Sequence, residues 1–347
     1  MNVMPTKPVI VIASPLEVEH VDRIRTFGGE RIEVVYEPDL LPVPRYVADH
    51  SGAKRTMTTE QLARWSATLA RADILFDFDL IDPGNMATNA PNLKWVQATS
   101  SGIGEFLRRT GLDKSRIAFT TASGVHGRPL SVFAMLGLLH FFRDVPVLDA
   151  MKAARHWERY TVRGLDGARV LVVGLGALGS AVARDAAHFG MEVWGTRRTV
   201  GGELPPGVTR LIEQTRIRDA LPQVDALVLA CPLTEETRLL IDLPEIAAMK
   251  RGIVIVNISR GQVINEAALI DALKSGQVKG AALDVFEVEP LPQDSPMWTL
   301  PNVIISPHSA STVASENIRI LDIFLDNLDR FLAGQPLRNR YERDRGY

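Results

Sequence analysis

The chain has 347 residues, 46% of them hydrophobic, which is longer than the length at which a single core stops growing, so two domains of ordinary size are expected. Its 39 basic and 41 acidic residues leave a formal charge of -2, which gives no long-range pull toward nucleic acid or an anionic membrane surface. The single cysteine, Cys231, excludes an internal disulfide and a cysteine-based metal cluster and suits a reducing cytoplasm.

The opening MNVMPTKPVIVIASP has too short an apolar run, and no small-residue cleavage site, for a signal peptide. Residues 8–13 (PVIVIA) read as a buried strand, 16–27 as a helix stopped by Gly28 and Gly29, and 31–36 as a second strand. Residues 38–55, rich in proline and polar side chains, read as loop. The spacing then predicts a helix over 58–70 with Leu62, Trp65 and Leu69 on one face. Strands follow at 74–78, 93–98 and 117–121, the second running into the glycine loop Thr99, Ser100, Ser101, Gly102, Ile103, Gly104. This block is a parallel α/β domain without a dinucleotide fingerprint, so a substrate role suits it.

Residues 129–160 read as a long helical region, apolar on all sides at first (LSVFAMLGLLHFF) and therefore buried, then mixed (MKAARHWERY). It is too short in apolar residues to span a bilayer. The second block reads as strands 168–173, 191–194, 225–230, 253–258, 278–283 and 303–306 with helices 177–189 and 265–275, an open doubly wound sheet. Residues 312–333 form an amphipathic helix, with Ile318, Ile320, Leu321, Phe324, Leu325, Leu328, Phe331 and Leu332 apolar, that is expected to return to the first domain. Arg338, Arg340, Arg343 and Arg345 alternate with Glu342 and Asp344, as in a solvated end.

The chain is organised around VLVVGLGALG, residues 170–179, where a strand, a tight turn and a helix are legible. Gly174 permits the turn, Gly176 lets a pyrophosphate approach the backbone, Gly179 lets helix and strand pack closely, and the helix N-terminus attracts the anion. Ligands of such sheets sit beyond the carboxyl ends of the strands, where Arg260, Asp284 and His308 all fall, with Glu289 in the loop after Asp284. An arginine fork for a carboxylate, a histidine that gives or takes a carbonyl proton and a carboxylate that tunes the histidine suit hydride transfer to a carbonyl beside a carboxylate.

VLVVGLGALG, CPLTEETRLLID, VNISRGQVINEAALIDAL, AALDVFEVEPLPQDSPMW and PNVIISPHSA, in this order and spacing, resemble the D-isomer-specific 2-hydroxyacid dehydrogenase family. KWVQATSSGIGEF is similar to that family's substrate-domain glycine loop. The resemblance implies that Arg260 binds substrate, that Glu289 pairs with the histidine and that His308 is the general acid/base. It implies that the loop Ser100, Ser101, Gly102, Ile103 holds the substrate carboxylate, with Asp284 at the nicotinamide carboxamide. Cofactor-lining positions are then Gly174, Gly176, Ala177, Leu178, Gly179, Cys231, Pro232, Ile258 and Ser259, although a small buried thiol is the plainer role of Cys231. No metal is implied.

Three positions depart from the pattern. Gly104 and Val132 stand where relatives often have Asp or Asn and Glu, which touches local packing and substrate fit. The third concerns the carboxylate that binds the ribose hydroxyls in an NAD-selective site about 20 residues after the first glycine. Here Thr196 takes its place, followed by Arg197 and Arg198, which can grip a 2′-phosphate; the alternative is that both are solvated charges in an enzyme using either cofactor.

The expectation is therefore two Rossmann or flavodoxin-like doubly wound parallel-sheet domains: a discontinuous substrate domain, 1–120 and 309–347, and a dinucleotide-binding domain, 121–308. The expected reaction is reduction of a small 2-oxo acid of the glyoxylate or hydroxypyruvate type to its D-2-hydroxy acid, with NADP preferred and NAD possible. The expected setting is a cytoplasmic homodimer, with no nucleic acid or membrane partner. Formate or phosphite oxidation is a second enzymatic reading, and for formate Glu289 argues against it because the similar formate dehydrogenases carry Gln there. A cofactor-sensing, corepressor-like interaction protein is a reading of another class.

Overall fold

The computed structural model describes residues 7–53, 55–197 and 203–343. The chain forms two compact units, Met1–Val125 with Thr312–Tyr347, and His126–Ser311.

The first unit starts as β1 (Val9–Ile12), α1 (Val18–Gly28), β2 (Glu33–Val35), α2 (Thr59–Ala70), β3 (Ile74–Phe76), α3 (Met86–Asn89), β4 (Trp95–Gln97), α4 (Gly104–Thr110) and β5 (Ala118–Thr120). The strands make one parallel sheet in the order β2-β1-β3-β4-β5. Helices cover both faces of such a sheet, which is why β1 and β3 read as unbroken apolar runs and why Gln97 in β4 is buried. A capping box between Thr58 and Gln61 starts α2, and Trp65, Thr68 and Leu69 are its buried face. Leu62, expected to be buried with them, is 44% exposed, because burial of this face begins only at Trp65, one turn further along.

The second unit contains α5 (Gly127–Phe142), α6 (Val145–Ala153), β6 (Arg169–Val173), α7 (Ala177–His188), β7 (Glu192–Arg197), β8 (Val208–Glu213), α8 (Ile217–Ala220), β9 (Ala226–Leu229), α9 (Leu243–Ala248), β10 (Ile253–Asn257), α10 (Glu266–Ser275), β11 (Val278–Leu283) and β12 (Val303–Ile305). Its seven parallel strands run β12-β11-β10-β9-β6-β7-β8. The chain leaves β6 toward one edge and returns at β9 toward the other, so the switch point, where such sheets bind ligands, lies between them. Strand β8 was not expected. As an edge strand it exposes Thr209, Arg210 and Glu213, which mask its apolar alternation.

The long helical region expected over 129–160 is broken. Pro146 has no N–H for the carbonyl of Phe142, so α5 stops, Asp144 turns the chain at φ 54°, α6 starts afresh, and residues 155–164 are not helical. Helix α5 is not buried all round either. Ala134, Leu138, Phe141 and Phe142 are buried, and the helix packs so closely on the sheet that a Cβ on Gly137 would lie 2.5 Å from the Cβ of Ala282. The opposite face leaves Val132 and Leu136 about half exposed. No single helix among the described residues is long and apolar enough to cross a membrane.

Helix α11 (Glu316–Leu332) belongs to the first unit, where Phe324 stacks on Trp95 at 5.2 Å and meets Phe76 edge-on at 5.3 Å. Ile318, counted among its apolar positions, is 45% exposed. The residues after it are not simply a solvated end: Thr121 N–H donates to the Asn339 carbonyl and Tyr341 N–H to the Phe119 carbonyl, closing the β5 edge of the sheet.

Candidate functional site

In the second unit the glycine turn after β6 has the form that its sequence implies. Gly174 sits at φ 93°, and a Cβ there would lie 2.7 Å from the Cα of Cys231, at the end of β9. A Cβ on Gly179 would lie 1.9 Å from the Gly174 carbonyl oxygen, so α7 can approach the strand only with glycine there. A Cβ on Gly176 would meet nothing within 4 Å. The exposed Gly176 and Ala177 thus leave open backbone at the start of a twelve-residue helix, and these residues fit the pyrophosphate of a dinucleotide.

Thr196 sits where a ribose-binding acid would stand, but its side chain points into the fold. It is 1% exposed, its hydroxyl accepts a hydrogen bond from Gly174 N–H at 3.1 Å, and its carbonyl accepts one from Leu175 N–H at 3.0 Å. It therefore braces the glycine turn rather than facing a ligand. Arg197, the last residue of β7, is partly exposed, and Arg198 lies outside the described residues. Cys231 is 5% exposed, and burial pushes its thiol up to about 12, as expected of an inert core thiol. Ile258 and Ser259 are buried at the end of β10, whereas Pro232 is exposed after β9.

Arg260, Asp284, Glu289 and His308 all leave the carboxyl ends of neighbouring strands β10, β11 and β12. His308 Nδ1 lies 2.7 Å from Glu289 Oε2, and Glu289 Oε1 accepts the N–H of Phe286 at 3.0 Å. Burial pushes the Glu289 carboxyl up, but the hydrogen bonds from His308 and Phe286 and the positive charges of His308 and Arg260 outweigh it, so the carboxyl is held below its ordinary range. His308 itself sits at φ 52°, a conformation that side chains rarely adopt.

Asp284 holds that conformation. Its Oδ1 accepts from Ser306 Oγ at 2.6 Å and from the N–H groups of Ser309 and Ala310 at 2.9 Å, and its carbonyl accepts the N–H of His308. Burial dominates its acidity and raises the carboxyl above the ordinary range, against the hydrogen bonds of Ser306 and Ala310 and the charge of His308. The family resemblance implies a cofactor contact for Asp284, and its bracing of the histidine loop is a further role.

Asn257, not singled out from sequence, does the same for Arg260. Its Oδ1 accepts from both the N–H and the hydroxyl of Ser259, and its Nδ2 donates to the Arg260 carbonyl at 3.1 Å. The available signal was a lone amide closing the apolar strand IVIVN. The next residue, Gly261, touches the Phe286–Glu287 backbone so closely that a Cβ would lie 1.9 Å from the Phe286 carbonyl carbon. The turns carrying Arg260 and Glu289 are therefore fixed against one another.

In the first unit the loop Thr99–Ile103 leaves the carboxyl end of β4. Ser100, Ser101 and Gly102 are exposed and Ile103 is buried under the start of α4.

The model of the "D-isomer specific 2-hydroxyacid dehydrogenase, NAD binding domain" matches residues 135–310. A hydroxypyruvate reductase from Blautia hydrogenotrophica is 30% identical over 274 residues, covering 77% of this chain and 84% of that protein. A glyoxylate reductase from Korarchaeum cryptofilum is 38% identical over 230 residues, 64% of this chain and 68% of that protein. Among solved structures, a D-isomer-specific 2-hydroxyacid dehydrogenase from Xanthobacter autotrophicus, in complex with NADPH and MES, is 27% identical with a TM-score of 0.79, covering 99% of this chain and 100% of that one. The matched stretch of sequence holds both the glycine turn and the strand ends that carry Arg260, Glu289 and His308, and the chain belongs to the D-isomer-specific 2-hydroxyacid dehydrogenases, oxidoreductases that use a nicotinamide cofactor.

Proposed function

We propose that this chain is a 2-oxo acid reductase of the glyoxylate or hydroxypyruvate type, forming the D-2-hydroxy acid and preferring NADPH. The observation that carries the reading is the 2.7 Å contact between His308 Nδ1 and Glu289, which commits one ring nitrogen and leaves Nε2 for substrate. The glycine turn and the start of α7 would hold the pyrophosphate, and the nicotinamide supplies the hydride. Arg260 offers a fork of donors to an anion, and in the first unit the exposed backbone of Ser101 and Gly102 offers N–H groups to the substrate carboxylate. His308 Nε2 donates its proton to the carbonyl oxygen, while the ionised Glu289 stabilises the imidazolium and fixes the ring. With its Oδ1 engaged by three donors, Asp284 has Oδ2 left for the carboxamide.

NADPH preference rests on Arg197 at the end of β7 and on the buried Thr196, rather than an acid, at the residue before it. It is supported by the relatives, among them the Xanthobacter enzyme in complex with NADPH. We assign the protein to the cytoplasm and expect it to be a homodimer. The outward faces of α5 and α6 expose Val132, Leu136, Val147 and Leu148, and Trp157 just beyond them is 96% exposed. A monomer by light scattering at micromolar concentration would contradict the dimer.

The deciding experiment is a panel of 2-oxo acids assayed with NADPH and with NADH. Turnover of glyoxylate or hydroxypyruvate, faster with NADPH, is expected. Absence of turnover with every member would overturn the proposal.

A further inference from the structure

We infer that Asp77 and Thr99 form a buried brace that sets the backbone of the substrate loop and so controls affinity for the substrate's carboxylate. This rests on the reading above that residues 100–103 bind that carboxylate.

Strand β3 ends at Phe76, and Asp77 N–H donates to the Gln97 carbonyl at 2.8 Å, keeping the chain beside the end of β4. Asp77 then adopts φ 69°, a left-handed conformation costly for most residues and tolerated best, after glycine, by Asn and Asp. The bend turns its side chain inward. Asp77 is 6% exposed, and its Oδ2 accepts the hydroxyl proton of Thr99, itself 7% exposed, at 3.0 Å. On the other side, the Thr120 carbonyl accepts Ala98 N–H at 2.8 Å, and Ala122 N–H donates to the Ser100 carbonyl at 3.0 Å.

The first residues of the loop are thus tied to the ends of β3 and β5, while Ser100, Ser101 and Gly102 stay exposed. Backbone donors cannot be aimed by their own side chains. Their direction is set by the dihedrals of the residues before them, and a site of this kind tolerates only about 0.5 Å of error. A carboxylate buried under the loop at the price of a left-handed backbone is the device that fixes those dihedrals. Neither Asp77 nor Thr99 touches the reacting atoms, so both are positioning residues.

The test compares the parent with Thr99→Val, which keeps the shape and loses the donor, with Asp77→Gly, which keeps the left-handed backbone and loses the acceptor, and with Thr99→Ser. Glyoxylate and NADPH are varied separately. Thr99→Val and Asp77→Gly should each raise KM for glyoxylate about tenfold, as expected for one lost buried hydrogen bond, with kcat and KM for NADPH within about twofold of the parent. Thr99→Ser should restore KM. Unchanged KM for glyoxylate in both variants, or equal rises for both substrates, would overturn the inference; if Thr99→Val folds poorly, Asp77→Gly decides. Ser101→Pro, which removes a loop N–H, separates the two levels. If it raises KM for glyoxylate while the brace variants do not, the brace is wrong and the loop assignment stands. If it too leaves KM unchanged, the loop assignment fails and the brace with it.

Discussion

His308 is held from two sides: its ring Nδ1 meets Glu289 Oε2 at 2.7 Å, and its backbone N–H donates to the Asp284 carbonyl at 2.9 Å. The first contact supplies charge, the second sets direction. Glu289→Gln keeps the shape and removes the charge that favours the imidazolium. Carbonyl reduction consumes that acid form, so reductive kcat/KM should fall about tenfold or more. His308→Ala should lower the rate by about 10² to 10⁴ and leave NADPH affinity near that of the parent. Steady-state kinetics with glyoxylate checks both; a kcat/KM unchanged by Glu289→Gln would show that Glu289 does not support the histidine.

The three glycines of the turn should fail in two different ways. A methyl on Gly179 collides with the Gly174 carbonyl oxygen, and one on Gly174 meets Cys231 from an already left-handed backbone, so either alanine variant should lose about 1 to 3 kcal/mol of stability or more. Gly176→Ala meets only open space and should change stability by less than about 1 kcal/mol. On the proposed function its methyl stands where a pyrophosphate would approach, so NADPH binding should weaken sharply. Denaturant unfolding and cofactor titration of the same variants separate the two effects.

The order of strands and helices was legible because parallel strands buried on both faces are unbroken apolar runs, as in IVIVN and VLVV, with glycine or polar residues at their ends. Strand β8 was missed because an edge strand such as VTRLIE exposes half its residues and loses that signal. The break after Phe142 was written in Pro146 but was hidden by the apolar residues on either side. Arg260, Glu289 and His308 could be picked out as candidates because charged residues at strand ends are conspicuous. Their supports were not legible. Asn257 holds the Arg260 turn and Asp284 the His308 loop through bonds to backbone atoms, which leave no residue pattern in the chain.

Cys231 gives an independent check on the packing of the turn. It is buried against Gly174, and a thiol pushed up to about 12 leaves only about one molecule in ten thousand as thiolate at pH 8. The native protein should therefore stay inert to a thiol-specific disulfide reagent and react with one equivalent only when unfolded. Rapid labelling under native conditions would mean that the β6–β9 crossing opens far more readily than its packing implies.

Cofactor choice separates a residue that holds the turn from residues that read the ligand. Thr196 accepts Gly174 N–H, so Thr196→Val leaves a partly buried donor unpaired, at a cost of about 1 to 3 kcal/mol, and loosens the turn proposed to hold the dinucleotide. It should weaken NADPH and NADH alike. Arg197→Ala combined with Arg198→Ala leaves the turn intact and removes the cations available to a 2′-phosphate. A lost charge-assisted contact costs about 1.5 to 3 kcal/mol, so kcat/KM for NADPH should fall about tenfold or more while that for NADH stays nearly constant. Steady-state kinetics with both cofactors on the two variants checks this. Equal losses in the arginine variant would show that phosphate recognition lies elsewhere, and a loss confined to NADPH in Thr196→Val would show that its hydroxyl, not only its fold contact, is read by the cofactor.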